Sequence, residues 1–153
     1  MATHPRLIAL DEDDLAVISA HVQDASVQVR DIIWRQSEKR LVVGMKRLDW
    51  DQALSGAPSA RRLVAALRFD RVLACKSRNL DMNKLESEAE LLGLEFRPGT
   101  KPGGNILLMF SGGGALRLDV ECIECELADL GEDHFDGDDL AGPGADISAE
   151  TNI

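Results

Sequence analysis

Aromatic residues and cysteines are scarce in this sequence. Its 153 residues contain no tyrosine, two tryptophans and four phenylalanines, with three histidines and three cysteines. Proteins that bind single-stranded nucleic acid without sequence preference stack the bases on aromatic side chains. This scarcity and the acidic pI of about 4.7 therefore argue against nucleic acid as a partner. Three cysteines without scaffold spacing favour a reducing, cytoplasmic compartment.

Long apolar runs are also absent. No stretch approaches the roughly 20 apolar residues that a membrane-spanning helix needs. The first residues contain no basic segment followed by an apolar run, because Pro5 and Asp11 interrupt them. We therefore expect no signal peptide and no membrane association.

Charge is distributed unevenly along the chain. The formal net charge is -10, yet residues 30–101 carry fifteen basic and ten acidic side chains. Residues 102–153 carry one basic and twelve acidic side chains. We interpret residues 1–131 as one domain and residues 132–153 as an acidic, disordered tail, because the tail holds too little apolar surface to offset the entropy of ordering. Solubility explains this asymmetry most simply; screening of the basic middle by the tail, or a charged partner, are the alternatives.

The periodicity predicts mostly antiparallel strands and one N-terminal helix. Arg6–Leu10 is a short strand, and Asp11 is placed to cap a helix over residues 11–25. Alternating apolar residues then predict a hairpin of residues 27–34 and 40–48. Further strands are expected at residues 61–75, 91–96, 106–110 and 114–127, and residues 83–90 are left as a helical turn or loop.

Two strand segments resemble each other. Ala66–Cys75 and Ala115–Cys125 both begin Ala-Leu-Arg-x-Asp and both end in cysteine, once one residue is inserted after Asp119. The apolar residues of the second segment change face near Cys122-Ile123, which predicts a β-bulge or a sharp bend there. The fold expected is α+β with about six to seven strands in two three-stranded meanders, forming a barrel or a sandwich. A pleckstrin-homology-like barrel is the alternative, although it would need a C-terminal helix that the pattern does not contain.

Few patterns in the chain are typical of a chemical site. Cys122 and Cys125, with Cys75 as a third ligand, are weak candidates for a metal or redox site, because they lie in strand-like runs among glutamates. The Ser111–Gly114 segment is better explained as a hairpin turn than as a phosphate-binding loop, because no helix follows it. No arrangement of nucleophile and base is recognisable, so we expect no cofactor and do not favour an enzyme.

A basic segment and the two tryptophans are the candidate binding residues. Arg62, Arg68 and Arg71 belong to a cluster of basic residues that could bind an anionic or protein partner. Pairing with glutamates of the similar strand, Glu121, Glu124 and Glu126, is the simpler use of these arginines. Trp34 and Trp50 are expected in the core or, alternatively, in the lining of a ligand pocket.

The chain resembles a bacterial family of unknown function, DUF2948. The resemblance lies in Leu7–Leu15, Ile18–Ala25, Arg47–Trp50, Arg61-Arg62, Ala66–Asp70 and Gly114–Leu130. It implies no activity and no catalytic residues, only a cytoplasmic, metabolic setting. Our leading interpretation is a non-enzymatic binding or interaction module that acts through a protein partner or self-association. The alternative is a small-ligand-binding β-barrel, an enzyme or an enzyme subunit, with a tryptophan-lined pocket.

Overall fold

The computed structural model describes residues 6–49, 62–132 and 148–149 of the chain. These residues form one α-helix, α1 (Glu12–His21), and eleven strands. The strands are β1 (Arg6–Ala9), β2 (Ala25–Gln28), β3 (Ile32–Arg35), β4 (Arg40–Leu48), β5 (Arg62–Phe69), β6 (Val72–Arg78), β7 (Glu88–Pro98), β8 (Gly104–Phe110), β9 (Ala115–Val120), β10 (Cys125–Glu132) and β11 (Ser148–Ala149). The α+β class with mainly antiparallel strands is confirmed, whereas the expected six to seven strands were too few.

Helix α1 begins where the sequence predicts and ends earlier. The Asp11 side chain accepts a hydrogen bond from the Asp14 backbone N–H at 2.8 Å, so it caps the orphan donors of the first turn. The helix ends at His21 rather than at residue 25, because Asp24 takes a left-handed backbone conformation (φ 64°) and Ala25 opens β2. No helix in the described residues is both long and apolar enough to span a membrane.

Strand order runs β1-β10-β5-β4-β2-β7-β8-β9-β6-β11, with β3 paired to the free part of the β4 edge. All pairs are antiparallel except the pair of β11 with β6. The two meanders are present as β3-β4-β5 and β7-β8-β9, and β2 joins them. The sheet does not close over the described residues, so the architecture is sandwich-like rather than a barrel.

The similar segments occupy equivalent positions in the two halves. Phe69 of β5 pairs with Cys125 of β10, and Leu118 of β9 pairs with Cys75 of β6. These two pairs are the same pair under the sequence match, which equates Phe69 with Leu118 and Cys75 with Cys125. Each meander therefore takes its next strand from the other half, since β10 extends the first and β6 extends the second. The two similar segments therefore have matching strand partners in the two halves of the sheet.

Each of the similar segments is two strands rather than one. The expected strand over residues 61–75 is interrupted at Asp70 and Arg71, where Arg71 has a positive φ of 62°. The expected strand over residues 114–127 is interrupted from Glu121 to Glu124, which confirms the predicted change of face in the form of a four-residue crossing. Backbone hydrogen bonds from Asp70 to Glu124 and from Glu121 to Arg71, both 2.9 Å, hold these two crossings side by side.

The core is one apolar cluster formed by both halves. Leu67, Phe69, Leu116 and Leu118 are fully buried within it, as the strand parity predicts. Helix α1 packs against β1 and β7 and adds Leu15 and Ile18 to the same cluster, consistent with a helix that covers an open side of the sheet. Ser19 joins this helix to β7, because its Oγ accepts a hydrogen bond from the Leu94 backbone N–H at 2.9 Å.

Several predictions concern residues outside the described ranges. Trp50, Arg61 and most of the predicted tail belong to these residues, so the domain boundary at residue 131 and the disorder of the tail stay predictions. Of the predicted tail beyond Glu132, Ser148–Ala149 is described, and it pairs in parallel with Lys76 and Ser77 of β6.

Candidate functional site

A gap in the strand pairing creates the candidate site. Strands β2 and β3 both pair with the same edge of β4, through Ser26 opposite Lys46 and Ile32 opposite Val43. Two residues of β4 separate these pairs, whereas five residues separate them on the β2–β3 side. The three extra residues are accommodated by a 3-10 turn over Val29–Asp31, which leaves the β4 edge beside it unpaired.

The turn is held away from β4 by the loop that precedes β7. The Val29 N–H donates to the Ser87 carbonyl oxygen, and the Arg30 N–H donates to the Leu85 carbonyl oxygen, each at 3.0 Å. Sequence reasoning missed this turn, because it treated residues 27–34 as one strand.

A cleft of about 220 Å³ opens at this gap. It is small compared with drug-sized pockets, and its volume equals that of about seven water molecules. Its lining is mixed: two carboxylates, two cations, two neutral polar side chains and one apolar side chain. These are Asp31, Glu88, Arg30, Lys46, Ser26, Gln28 and Met45.

Asp31 is the most unusual residue of the cleft. It is only 7% exposed, and none of the described residues donates a hydrogen bond to its carboxylate. Burial raises the pKa of Asp31 above its usual range, and the nearby charges of Arg30 and Lys46 offset part of that effect. Because Asp31 lines the cleft and takes no hydrogen bond from the described residues, its carboxylate is available to a ligand in the cleft.

The other charged groups of the cleft already have partners. The Ser26 hydroxyl donates a short hydrogen bond to Glu88 Oε1. Arg30 Nη2 lies 3.7 Å from Glu86 Oε1 in an ion pair that is largely exposed. Asp31 is thus the charged group of the cleft that forms no hydrogen bond or ion pair with the described residues.

The alternation of apolar residues along residues 27–33 indicates that Asp31 is buried. Val27, Val29 and Ile33 are buried and alternate along the chain, and Asp31 takes the matching position between the last two. A charged residue at an apolar position of an alternating pattern marks a buried charge. The same signal identifies Arg47, which continues the alternation of Leu41, Val43 and Met45 in β4.

Arg47 forms a buried ion pair with Asp129 of β10. Arg47 Nε and Nη2 donate to the two oxygens of Asp129, both at 2.8 Å, and the side chains are 7% and 4% exposed. Arg47 Nη1 also donates to the Leu48 carbonyl oxygen at 3.1 Å. With its hydrogen bonds satisfied, this pair has a structural role in joining β4 to β10 across β5.

The candidate arginines Arg68 and Arg71 lie in ion pairs at the surface. Arg68 Nη2 donates to Glu126 Oε2 at 2.7 Å and Arg68 Nε to Asp70 Oδ2 at 3.0 Å. Arg71 lies 3.8 Å from Glu121 and 3.9 Å from Glu124. These are the cross-strand glutamates that the sequence suggested as partners, so both arginines have intramolecular counter-charges.

Further cations join the same surface. Arg40 Nε donates to Asp70 Oδ1 at 2.7 Å, and Lys39 Nζ donates to Glu121 at 2.7 Å. The hydrogen bond and charge of Lys39 lower the pKa of Glu121. Arg62 is more isolated: its guanidinium donates to the Lys46 carbonyl oxygen at 3.4 Å and is exposed. A binding role for Arg62, Arg68 and Arg71 stays a prediction.

Trp34 lies in the core. It is 4% exposed, belongs to β3 and pairs with Leu41. It does not line the cleft at Asp31. Trp50, its predicted companion in a ligand pocket, is outside the described residues.

The three cysteines are separated by the fold. Cys75 and Cys125 are buried in β6 and β10, whereas Cys122 is half-buried on the crossing. Burial raises the pKa of the Cys75 thiol to about 12, and it also raises the pKa of Cys125. Within the described residues, no group of three or more histidine, cysteine, aspartate or glutamate side chains could hold a metal ion.

Comparison with known proteins places the chain in a family. A family model described as "Protein of unknown function (DUF2948)" matches residues 6–138, which include the cleft, the buried Arg47–Asp129 pair and the surface ion pairs of Arg68 and Arg71. No curated protein and no solved structure matches the chain. The residues of the sequence resemblance lie in the same region, and the match covers well over half of the chain. The chain therefore belongs to the DUF2948 family of proteins of unknown function.

Proposed function

We propose that the protein binds a small polar ligand in the cleft lined by β2, the Val29–Asp31 turn, β4 and the start of β7, and that it acts as a cytoplasmic binding protein rather than an enzyme. The observation that supports this most is Asp31, a residue that is only 7% exposed and whose side chain lines the cleft without a hydrogen bond from the described residues. Groups that are poorly satisfied by their own fold gather at binding sites, where a ligand completes their hydrogen bonds.

This proposal changes the expected position of the pocket. The sequence suggested a pocket lined by Trp34 or Trp50, whereas Trp34 is part of the core and the cleft is polar. The small volume of the cleft favours a metabolite of a few heavy atoms over a nucleotide or a peptide.

Thermal unfolding against a panel of small metabolites tests the proposal. A ligand at 100 times its Kd stabilises the native state by about 2.7 kcal/mol, which raises Tm by about 5–10 °C for a chain of this size. The variant Gln28→Trp should remove the shift, because Gln28 is an exposed residue of the cleft lining. Gln23→Trp is the matched control, since Gln23 is exposed in the turn after α1, outside the cleft, and this variant should keep the shift.

Two results would contradict the proposal. One is a panel of sugars, organic acids, amino acids and nucleotides that produces no saturable rise in Tm. The other is a shift that Gln28→Trp leaves intact, because the ligand would then bind elsewhere.

An interaction module is the second candidate function. In the described sheet β1 is a terminal strand, and its Ile8 is 60% exposed, followed by Leu10 at 65%. An exposed edge with apolar side chains can add a strand from another chain. Sedimentation of the purified protein tests self-association: a dimer that Ile8→Lys converts to a monomer supports this function, and a monomer at all concentrations contradicts self-association through β1.

A further inference from the structure

The charges of the cleft point to its ligand. We propose, on the basis of the proposed function, that the cleft binds a small zwitterion of the amino-acid type, with its ammonium group on Asp31 and its carboxylate towards Arg30 and Lys46. The lining supplies two carboxylates and two cations around one small volume. In a ligand with one charge of each sign, the positive end can face the carboxylates of the cleft and the negative end can face its cations.

The ammonium end of the ligand is specified by Asp31. Asp31 as a residue is 7% exposed, its side chain lines the cleft, and it receives no hydrogen bond from the described residues, so its carboxylate can accept several N–H donors. An ammonium group offers three donors and the opposite charge, and charge-assisted hydrogen bonds are about twice as strong as neutral ones. Glu88 is held by Ser26 and lines the same cleft, which adds to its negative side.

The carboxylate end of the ligand is specified by the cations. Arg30 and Lys46 line the same cleft as Asp31, so a ligand carboxylate on their side of the cleft meets positive charge. Arg30 is 47% exposed and its pair with Glu86 is 3.7 Å long, an exposed geometry that contributes little and leaves its guanidinium able to turn to another carboxylate.

The size and the apolar wall restrict the ligand further. Met45 is 3% exposed and lies in the lining, where it can contact a short aliphatic segment. A volume of about 220 Å³ suits a ligand of a few heavy atoms. Amino acids with short side chains and short ω-amino acids fit these limits.

Four matched probes test the class of ligand: L-alanine, 4-aminobutyrate, n-butylamine and butyrate. They are added to the full-length protein, and binding is measured from the NMR shifts of backbone amides in the cleft. We expect one of the two zwitterions to bind at least tenfold more tightly than either singly charged probe. Asp31→Asn should weaken that binding at least tenfold, whereas Glu121→Gln, a change in the ion pairs of the crossing, should leave it unchanged.

The outcomes separate this inference from the proposed function. If butylamine or butyrate binds as tightly as the zwitterions, the proposed class of ligand, a zwitterion, is wrong, although the cleft is still a binding site. The class is also wrong if none of the four probes binds while another metabolite of the panel gives a shift that Gln28→Trp removes. If neither the four probes nor the panel binds, both proposals are wrong.

Discussion

Removing the carboxylate of the buried Arg47–Asp129 pair should destabilise the protein strongly. Asp129→Ala deletes two charge-assisted hydrogen bonds of 2.8 Å and leaves the Arg47 side chain, which is 7% exposed, without this counter-charge. Breaking a buried pair in this way costs about 3–5 kcal/mol. That is a large part of the roughly 5–15 kcal/mol by which a domain is stable.

Urea unfolding followed by circular dichroism measures this loss. With a slope near 2 kcal/mol per M, the midpoint should fall by about 1.5–2.5 M. The double variant Arg47→Met/Asp129→Leu should recover most of the loss, because apolar residues of similar size fill the space without burying a charge. Glu121→Gln is the surface control and should keep a midpoint near that of the wild type, because its partner Lys39 is 53% exposed.

The reasoning is refuted if Asp129→Ala lowers stability by less than about 1 kcal/mol, a value typical of exposed pairs. It is also refuted if the double variant is less stable than Asp129→Ala, because the unpaired charge would then not be the cause of the loss.

Three further predictions follow from individual residues. Asp31→Asn should raise stability by about 0.5–2 kcal/mol near neutral pH. Burial raises the pKa of Asp31 above 3.8, so the native state keeps this proton to a higher pH than the unfolded state does. The stability advantage of the variant, measured as Tm against pH, should therefore grow as pH rises from about 3.8 and then level off. Gly104→Ala should cost about 1–3 kcal/mol in urea unfolding, because a Cβ there would clash with the Arg97 backbone carbonyl oxygen and lie 2.8 Å from the Phe96 ring. Gly99→Ala in the same turn would meet backbone atoms of Gly103 and Gly104 no closer than 3.4 Å and should cost clearly less. A thiol reagent should modify Cys122 alone in the native protein and three thiols after denaturation; rapid modification of a second thiol would contradict the burial of the two core cysteines.

Local pattern was sufficient for most of the element types. The N-cap at Asp11, the β4 strand from Arg40 to Leu48 and the change of face near Cys122 all depend on neighbouring residues, so they are readable from the sequence. The cross-strand pairing of Arg68 with Glu126 was also suggested, because the internal match placed the two segments in equivalent strands. The ends of elements were harder to predict. For example, α1 ends before residue 25 because Asp24 has a positive φ, and composition does not specify that conformation.

The candidate site was not predicted, although a trace of it lies in the sequence. Asp31 stands at an apolar position of an alternating pattern, which marks a buried charge but does not say what surrounds it. The cleft itself arises because β2 and β3 pair with one edge of β4 at unequal spacing, and that spacing depends on partners far along the chain. Trp34 lies in the core, the first of the two positions expected for it, and its ligand-binding role stays a prediction.

By itself, the sequence determined the strand-rich class and the faces of the strands, because both depend on side chains two or four positions apart. It also contained the internal similarity of the halves, because that is a repeat of residue types along the chain. Tertiary structure decided that each half takes a strand from the other, that Arg47 meets Asp129, and that Asp31 faces a cleft. These features depend on residues that lie far apart along the chain, such as Arg47 and Asp129, and a pairing of that kind is set by the packing of the whole core rather than by any local pattern.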